Sequence, residues 1–298
     1  MKKIIFIADE SGAKGYSSTQ ENQPGELGVM AGYLIPESCL DSVKQDFDCI
    51  RSKFFSAGKV HITDLTASQQ NEMRKEFFEY FLERKIFWVY EATYVQGYAE
   101  SALRLNELTK GAHQARRSEV SMSWREKHEM LHGTLFQGAF GKAVAFCMDM
   151  ADVPFQIDVI TDRTDDPILK LFHEKASELL SVGEDSTHEA TGFDRASKEV
   201  VRGKISISVG DPDNLLGDFS QVSFTIVCDD SALTLAADVL ANSVNYHLNQ
   251  LQEESPGIAL NRTRSMSEHP LQSLLYGGAE DDGIDISDAL YRHPMRVQ

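Results

Sequence analysis

The chain has 298 residues, 42% of them hydrophobic, enough for one large domain or two small ones with a full core. Its 46 Asp and Glu against 29 Lys and Arg leave a formal net charge of −17. That balance excludes a protein that coats nucleic acid or anionic lipid by bulk charge, because the long-range field repels both; phosphate chemistry here needs a local basic patch, a bound cation or a partner.

At the N-terminus Lys2 and Lys3 precede Ile4-Ile5-Phe6-Ile7-Ala8, a run too short for a signal peptide and without a small-residue cleavage site behind it. It reads instead as a central strand buried on both faces, ended by Asp9-Glu10-Ser11-Gly12. A long polar connection, Ser17 to Gly25, leads to a second strand over 26–35, closed by Pro36. Leu40, Val43, Phe47 and Ile50 then recur at helical spacing, and a second helix is expected over 68–84 with Thr66 or Ser68 as N-cap. His61-Ile62-Thr63-Asp64-Leu65 lies between these helices. Residues 86–95 predict an aromatic-rich strand, 96–127 a polar helical excursion, and 127–150 a helix rich in Phe, Leu, Ala and Met.

Phe155 to Thr161 predicts the next buried strand, and Pro167 suits the first turn of a helix running to about Val182. A loop is expected over 183–196 and strands over 200–209 and 222–228, after which Asp229-Asp230-Ser231 caps a helix over 232–251. Beyond Glu254 the composition shifts to Pro, Gly, Asp and Arg without period, as in a tail wrapped on the body or ordered by a partner. The order predicts one α/β domain over residues 1–253, a central mixed sheet with helices on both faces, and a C-terminal extension over 254–298. Cys39, Cys49, Cys147 and Cys228 form no C-x-x-C pair and read as buried thiols in a reducing compartment. No stretch approaches the ~18 apolar residues of a membrane span, so the expectation is a soluble, cytoplasmic chain without a membrane partner.

Three carboxylates stand where folding alone does not require them. Asp9 and Asp162 follow buried strands, and ligands collect at the carboxyl ends of strands in an open α/β sheet. Asp238 interrupts a helix that is apolar nearly all round, from Leu233 to Ala241, with Asn242 one turn later extending a polar stripe. A buried carboxylate is costly unless it is hydrogen-bonded, ion-paired or on a metal. Carboxylates that converge repel one another unless a divalent cation neutralises them, and Mg²⁺ prefers such oxygen ligands. Taken singly, an aspartate at a strand end reads first as a turn cap, and Asp238 as the partner of a core arginine; their order and placement together favour the ligand reading.

Together, Ile5-Phe6-Ile7-Ala8-Asp9-Glu10-Ser11-Gly12, the His61 segment, Val159-Ile160-Thr161-Asp162-Arg163 and Leu235-Ala236-Ala237-Asp238-Val239-Leu240-Ala241 resemble the successive motifs of the domain-of-unknown-function 3800 family, from residue 1 to about 251. The resemblance implies a ribonuclease H-like fold and a metal-dependent nuclease acting on DNA or RNA, in phage defence or a mobile element. It implies a site in which Asp9, Asp162 and Asp238 hold Mg²⁺ or Mn²⁺, with Glu10 and His61 as further catalytic candidates. Where the family often carries an acidic residue two positions before the histidine, this chain has Lys59; the metal position is then lost, or filled by Asp64 or Glu91. Side chains alternate along a strand, so Asp9 and Glu10 share one site only if the strand has already turned. His61 reads either as a residue that positions or deprotonates water or as a loop histidine capping a backbone group.

A competing motif, His128-Glu129-Met130-Leu131-His132, matches H-E-x-x-H and would place two imidazoles on one helical face for a zinc-dependent hydrolase. The charged Arg125-Glu126-Lys127 before it and the lack of a third ligand at familiar spacing, Asp149 and Asp152 aside, put it behind chance surface residues. The other alternative is a non-catalytic module of the same fold, regulated by a protein partner that the acidic surface attracts. Basic clusters at Arg116-Arg117 with Arg125 and Lys127, and at Arg195, Lys198, Arg202 and Lys204, read as solvated faces or as phosphate contacts.

Overall fold

The computed structural model describes residues 2–13, 25–55, 61–100, 120–121, 130–150, 154–162, 164–181, 186–194, 197–207, 219–254, 266, 268–276 and 290–291. In chain order the elements are β1 (Lys2–Gly12), β2 (Leu27–Pro36), α1 (Leu40–Ser52), α2 (Ala67–Arg84), β3 (Trp88–Tyr94), β4 (Val120–Ser121) and α3 (Met130–Met150). There follow β5 (Phe155–Thr161), α4 (Asp166–Leu180), β6 (Ser186–Asp194), β7 (Glu199–Ile207), β8 (Val222–Cys228), α5 (Ala232–Glu254) and β9 (Leu290–Tyr291).

The main sheet has the order β8-β5-β1-β2-β3-β9. β1, β2 and β3 form an antiparallel meander, while β5 pairs parallel to β1 and β8 parallel to β5. Five full strands of this mixed pattern, flanked by helices, are compatible with a ribonuclease H-like α/β fold. Ile5, Phe6, Ile7 and Ala8 of β1 are all buried, as a strand covered on both faces requires. Ile5 and Ile7 pack with β2, β3 and the helices α1, α2 and α5; Phe6 and Ala8 pack with α3 and α4. On the first face Phe47 meets Tyr33 and Phe77 edge-on at 5.9 and 5.1 Å, and the Tyr33 hydroxyl donates to the Leu233 carbonyl at 2.9 Å, tying β2 to the first turn of α5.

Two departures from the sequence expectation have physical causes. β1 does not end at Asp9: its antiparallel pairing with β2 carries it to Gly12, so Asp9 pairs with Ala31 and Glu10 with Met30. The expected loop over 183–196 contains β6, whose polar sequence has no apolar alternation; cross-strand bonding to β7 makes it a strand, in a separate three-stranded sheet with β4. The described part of the C-terminal extension is wrapped on the body, the first of the two expected readings, and joins its core. Met266, Leu271 and Leu274 are buried, the Trp88 indole donates to the Leu271 carbonyl at 2.8 Å, and the Tyr276 N–H donates to the Trp88 carbonyl at 3.0 Å.

Of the four cysteines, all free, only Cys147 is buried, where burial pushes its thiol up to about 12; Cys49 and Cys228 are exposed, contrary to the expectation of buried thiols. Among the described residues no helix is long and apolar enough to cross a membrane.

Candidate functional site

The parallel pairing of β1 with β5 stops at Ala8 and Thr161, and that of β5 with β8 at Thr161 and Cys228. Asp9, Asp162 and Asp229 therefore follow at the same level on three adjacent strands, where β1 has a parallel partner on one side and an antiparallel one on the other. Asp229 is taken up by the turn: its N–H donates to the Thr161 carbonyl at 2.9 Å and its carboxylate accepts the Asp230 N–H at 3.0 Å. Ser231 caps α5 by accepting the Leu233 N–H at 3.3 Å.

Because β1 continues past Asp9, its alternation continues too. Asp9, 5% exposed, lies on the face covered by α5, beside Asp238. Glu10 starts on the opposite face, where its Oε2 is 3.5 Å from Nε2 of His132 on α3. Since β5 has ended there, no strand separates the two carboxyl groups, and Glu10 comes close enough to hydrogen-bond Asp9. The Glu10 N–H also donates to Asp9 Oδ1 at 2.8 Å. Burial, then the negative charges of Glu10 and Asp238, hold the Asp9 carboxyl well above the usual aspartate range.

Asp238 lies on a helix otherwise buried from Ala232 to Ala241. Its partner is not a core arginine: Oδ2 accepts the Ile62 N–H at 2.8 Å and sits 3.7 Å from His61 Nδ1. Burial raises its carboxyl as well, with Asp162 and Glu10 adding to the rise and the Ile62 N–H and His61 opposing it. Residues 61–64 form a single tight turn in which the His61 N–H donates to Asp64 Oδ2 at 2.9 Å. Asp64 thus closes that turn, while the His61 side chain, 44% exposed, stands at the solvent edge of Asp238. Thr66 then caps α2 and exchanges hydrogen bonds with Gln69, which sets the direction of the chain leaving the turn.

Glu91 lies two strands from Glu10, with Met30 between them, and its carboxylate is 3.0 Å from Lys142 Nζ. Lys59, His128, Glu129, Asp152, Arg116, Arg117, Arg125, Lys127 and Arg195 lie outside the described residues. His132, the described histidine of the H-E-x-x-H motif, is not a surface residue: it is 3% exposed and its ring meets Phe172 edge-on at 4.9 Å. Asp149 accepts a hydrogen bond from the Tyr276 hydroxyl. The structure thus brings Asp9, Glu10, Asp238, Asp162 and His61 to one end of the sheet and adds His132 behind Glu10, a placement no sequence spacing announces.

Gly12, which closes the Asp-Glu-Ser-Gly segment, has φ of +76°, and a Cβ there would lie 2.3 Å from the Leu27 carbonyl oxygen. Asn245 of α5 donates to Ser11 Oγ at 3.3 Å. The motif's last two residues hold the strand end against α5; its first two carry the acids.

Among the described residues no three His, Cys, Asp or Glu side chains are arranged as a ready metal cage. The donor set is nevertheless of the kind a hard divalent cation takes, carboxylate oxygens with one imidazole at the rim, and the charges that bear most on Asp9 are both negative. Fold and site define a mixed α/β protein with a partly buried acidic cluster at the carboxyl ends of its parallel strands. No family model matches the chain, and no curated protein matches it.

Proposed function

We propose that the chain is a divalent-metal-dependent nuclease of the ribonuclease H-like class, similar to the domain-of-unknown-function 3800 family, that hydrolyses phosphodiester bonds at the Asp9–Asp238 cluster. The observation that carries this reading is the burial of Asp9 against two further acids, an arrangement that repels itself until a cation enters. Asp9, Asp162 and Asp238 would hold Mg²⁺ or Mn²⁺, which supplies Lewis acidity to an in-line phosphodiester displacement and neutralises the carboxylates. Asp238 also docks the 61–64 turn through the Ile62 N–H, and so sets where the His61 imidazole stands. At that exposed rim His61 takes a proton from the attacking water. Glu10, backed by His132, supports Asp9 from the other face of the sheet.

The test is cleavage of labelled single- and double-stranded DNA and RNA by the purified protein in Mg²⁺, Mn²⁺ or chelator, beside Asp9→Asn and Asp238→Asn. Cutting is expected only with metal, and both variants are expected to lose it by about a hundredfold or more. Full activity in Asp238→Asn, or cutting that persists in chelator, would overturn the assignment.

A further inference from the structure

One helical turn beyond Asp238, Asn242 Oδ1 accepts a hydrogen bond at 2.7 Å from Nη2 of Arg74 on α2. The same guanidinium donates to Gln70 Oε1 at 3.3 Å and to Asn71 Oδ1 at 3.0 Å. All three acceptors are neutral amides, so among the described residues no carboxylate cancels the Arg74 charge, in a chain whose net charge is −17. Three of the five N–H donors of a guanidinium are used, and Nε is buried with no partner. A half-buried cation held by amides is oriented while its charge stays available to an anion.

Four residues further along α5, Tyr246 presents its ring to solvent, 59% exposed, with the Arg74 Cζ 5.6 Å from the ring centroid. Asp238, Asn242 and Tyr246 occupy successive turns of one side of α5, about 6 and 12 Å along the helix from Asp238 at 1.5 Å per residue. The acidic cluster marks one end of this line, an exposed aromatic ring the other, and a guanidinium held by amides lies between them.

We propose that Arg74 and Tyr246 form a subsite for single-stranded polynucleotide beside the acidic cluster, the guanidinium taking a phosphate next to the one attacked and the Tyr246 ring stacking on a base. The assignment of cleavage to Asp9 and Asp238 is the reading on which this rests. A phosphate neutralises the guanidinium left without an acid, and a flat exposed ring stacks on any base. In a duplex both faces of each base are already stacked, so the Tyr246 ring favours a single strand.

The experiment is fluorescence anisotropy of the full chain with fluorescein-labelled oligo(dT), oligo(U) and a duplex of matched length, in Ca²⁺ and in chelator. Tyr246→Ala and Arg74→Gln are each expected to weaken single-strand binding about tenfold. Tyr246→Phe, which keeps the stacking face, is expected to bind within about twofold of wild type, and the Tyr246 changes should leave duplex binding unmoved. Tyr246 is exposed, so its substitutions leave the core intact; the pair oligo(dT) and oligo(U) separates a DNA from an RNA preference within the same subsite. Wild-type affinity in Tyr246→Ala, duplex binding equally tight and equally sensitive, or no single-strand binding in either buffer would overturn the proposal. Binding that follows the expected pattern without metal-dependent cleavage would keep the subsite and remove the nuclease, whereas cleavage lost in Asp9→Asn with unchanged binding by Tyr246→Ala would do the reverse.

Discussion

At Asp9 a carboxyl group is buried beside Glu10 and Asp238, and it accepts a hydrogen bond from its neighbour's N–H. Its carboxyl, like that of Asp238, is raised from the ordinary aspartate value of 3.8, chiefly by burial. The folded state therefore holds these protons more tightly than the unfolded chain does. Stability declines as pH rises from about 3.8 through the raised values, and the full cost is present once both groups ionise. In chelator at neutral pH, Asp9→Asn and Asp238→Asn are thus expected to melt a few degrees higher than wild type, a gap that closes as pH falls toward 4. Thermal unfolding followed by circular dichroism across that range checks it; a variant less stable than wild type at neutral pH would show that the carboxylate is compensated. Presence of Asp9, Asp162 and Asp238 was legible from the sequence because each interrupts or ends an apolar run. Their surroundings were not, since the Ile62 N–H on Asp238 is 176 residues away in sequence and Leu27, which crowds Gly12, belongs to the next strand.

Element by element, the site depends on where β1 stops. Extension to Gly12 keeps Asp9 and Glu10 on opposite faces, and the end of β5 at Thr161 lets the two carboxyl groups meet all the same. Gly12 makes the turn at φ +76° with no room for a Cβ beside the Leu27 carbonyl and Asn245. Gly12→Ala is accordingly expected to cost about 2 kcal/mol or more, measured by urea denaturation, with the damage felt at the acidic cluster three residues upstream. A cost below about 0.5 kcal/mol would mean that the strand end relaxes freely. Helical and buried-strand spacing placed α2, β5 and α5 within three residues of their observed bounds, because those patterns are local. β6 escaped because nothing in Ser186–Asp194 alternates; only its pairing with β7 makes it a strand.

Across the whole molecule, the sheet is closed at the β3 edge by the C-terminal segment. His269 sits among Trp88, Phe78 and His247, with ring centroids at 5.2, 5.6 and 5.6 Å. Its Nδ1 accepts the Leu271 N–H at 3.2 Å, so Nε2 carries the proton and donates to Ser243 Oγ at 3.1 Å, and Ser243 in turn donates to the Leu240 carbonyl at 2.8 Å. Burial, with His247 nearby, lowers His269 from 6.5 to about 3. The unfolded chain takes up this proton below about pH 6.5 while the folded chain refuses it, so this contribution to stability is lost progressively from pH 6.5 toward 3. His269→Asn should lower stability at pH 7 through lost packing yet flatten its decline between pH 6.5 and 4, as read from urea unfolding at several pH values. An unchanged slope would place the acid sensitivity elsewhere. The sign is opposite to that at Asp9 and Asp238, and the variants separate the two.

Sequence alone determined the α/β class, the buried strands and helices, and the aspartates on β1, after β5 and on α5, because apolar runs and residue spacing are properties of neighbouring residues. Tertiary structure decided the rest: that β1 runs on to Gly12, that Glu10 meets His132, that the Ile62 N–H rather than an arginine meets Asp238, that Arg74 bonds to Asn242 with no carboxylate beside it among the described residues, and that Met266, Leu271 and Leu274 join the core. Each of these depends on strand register or on the packing of segments far apart in the chain, which no local pattern encodes.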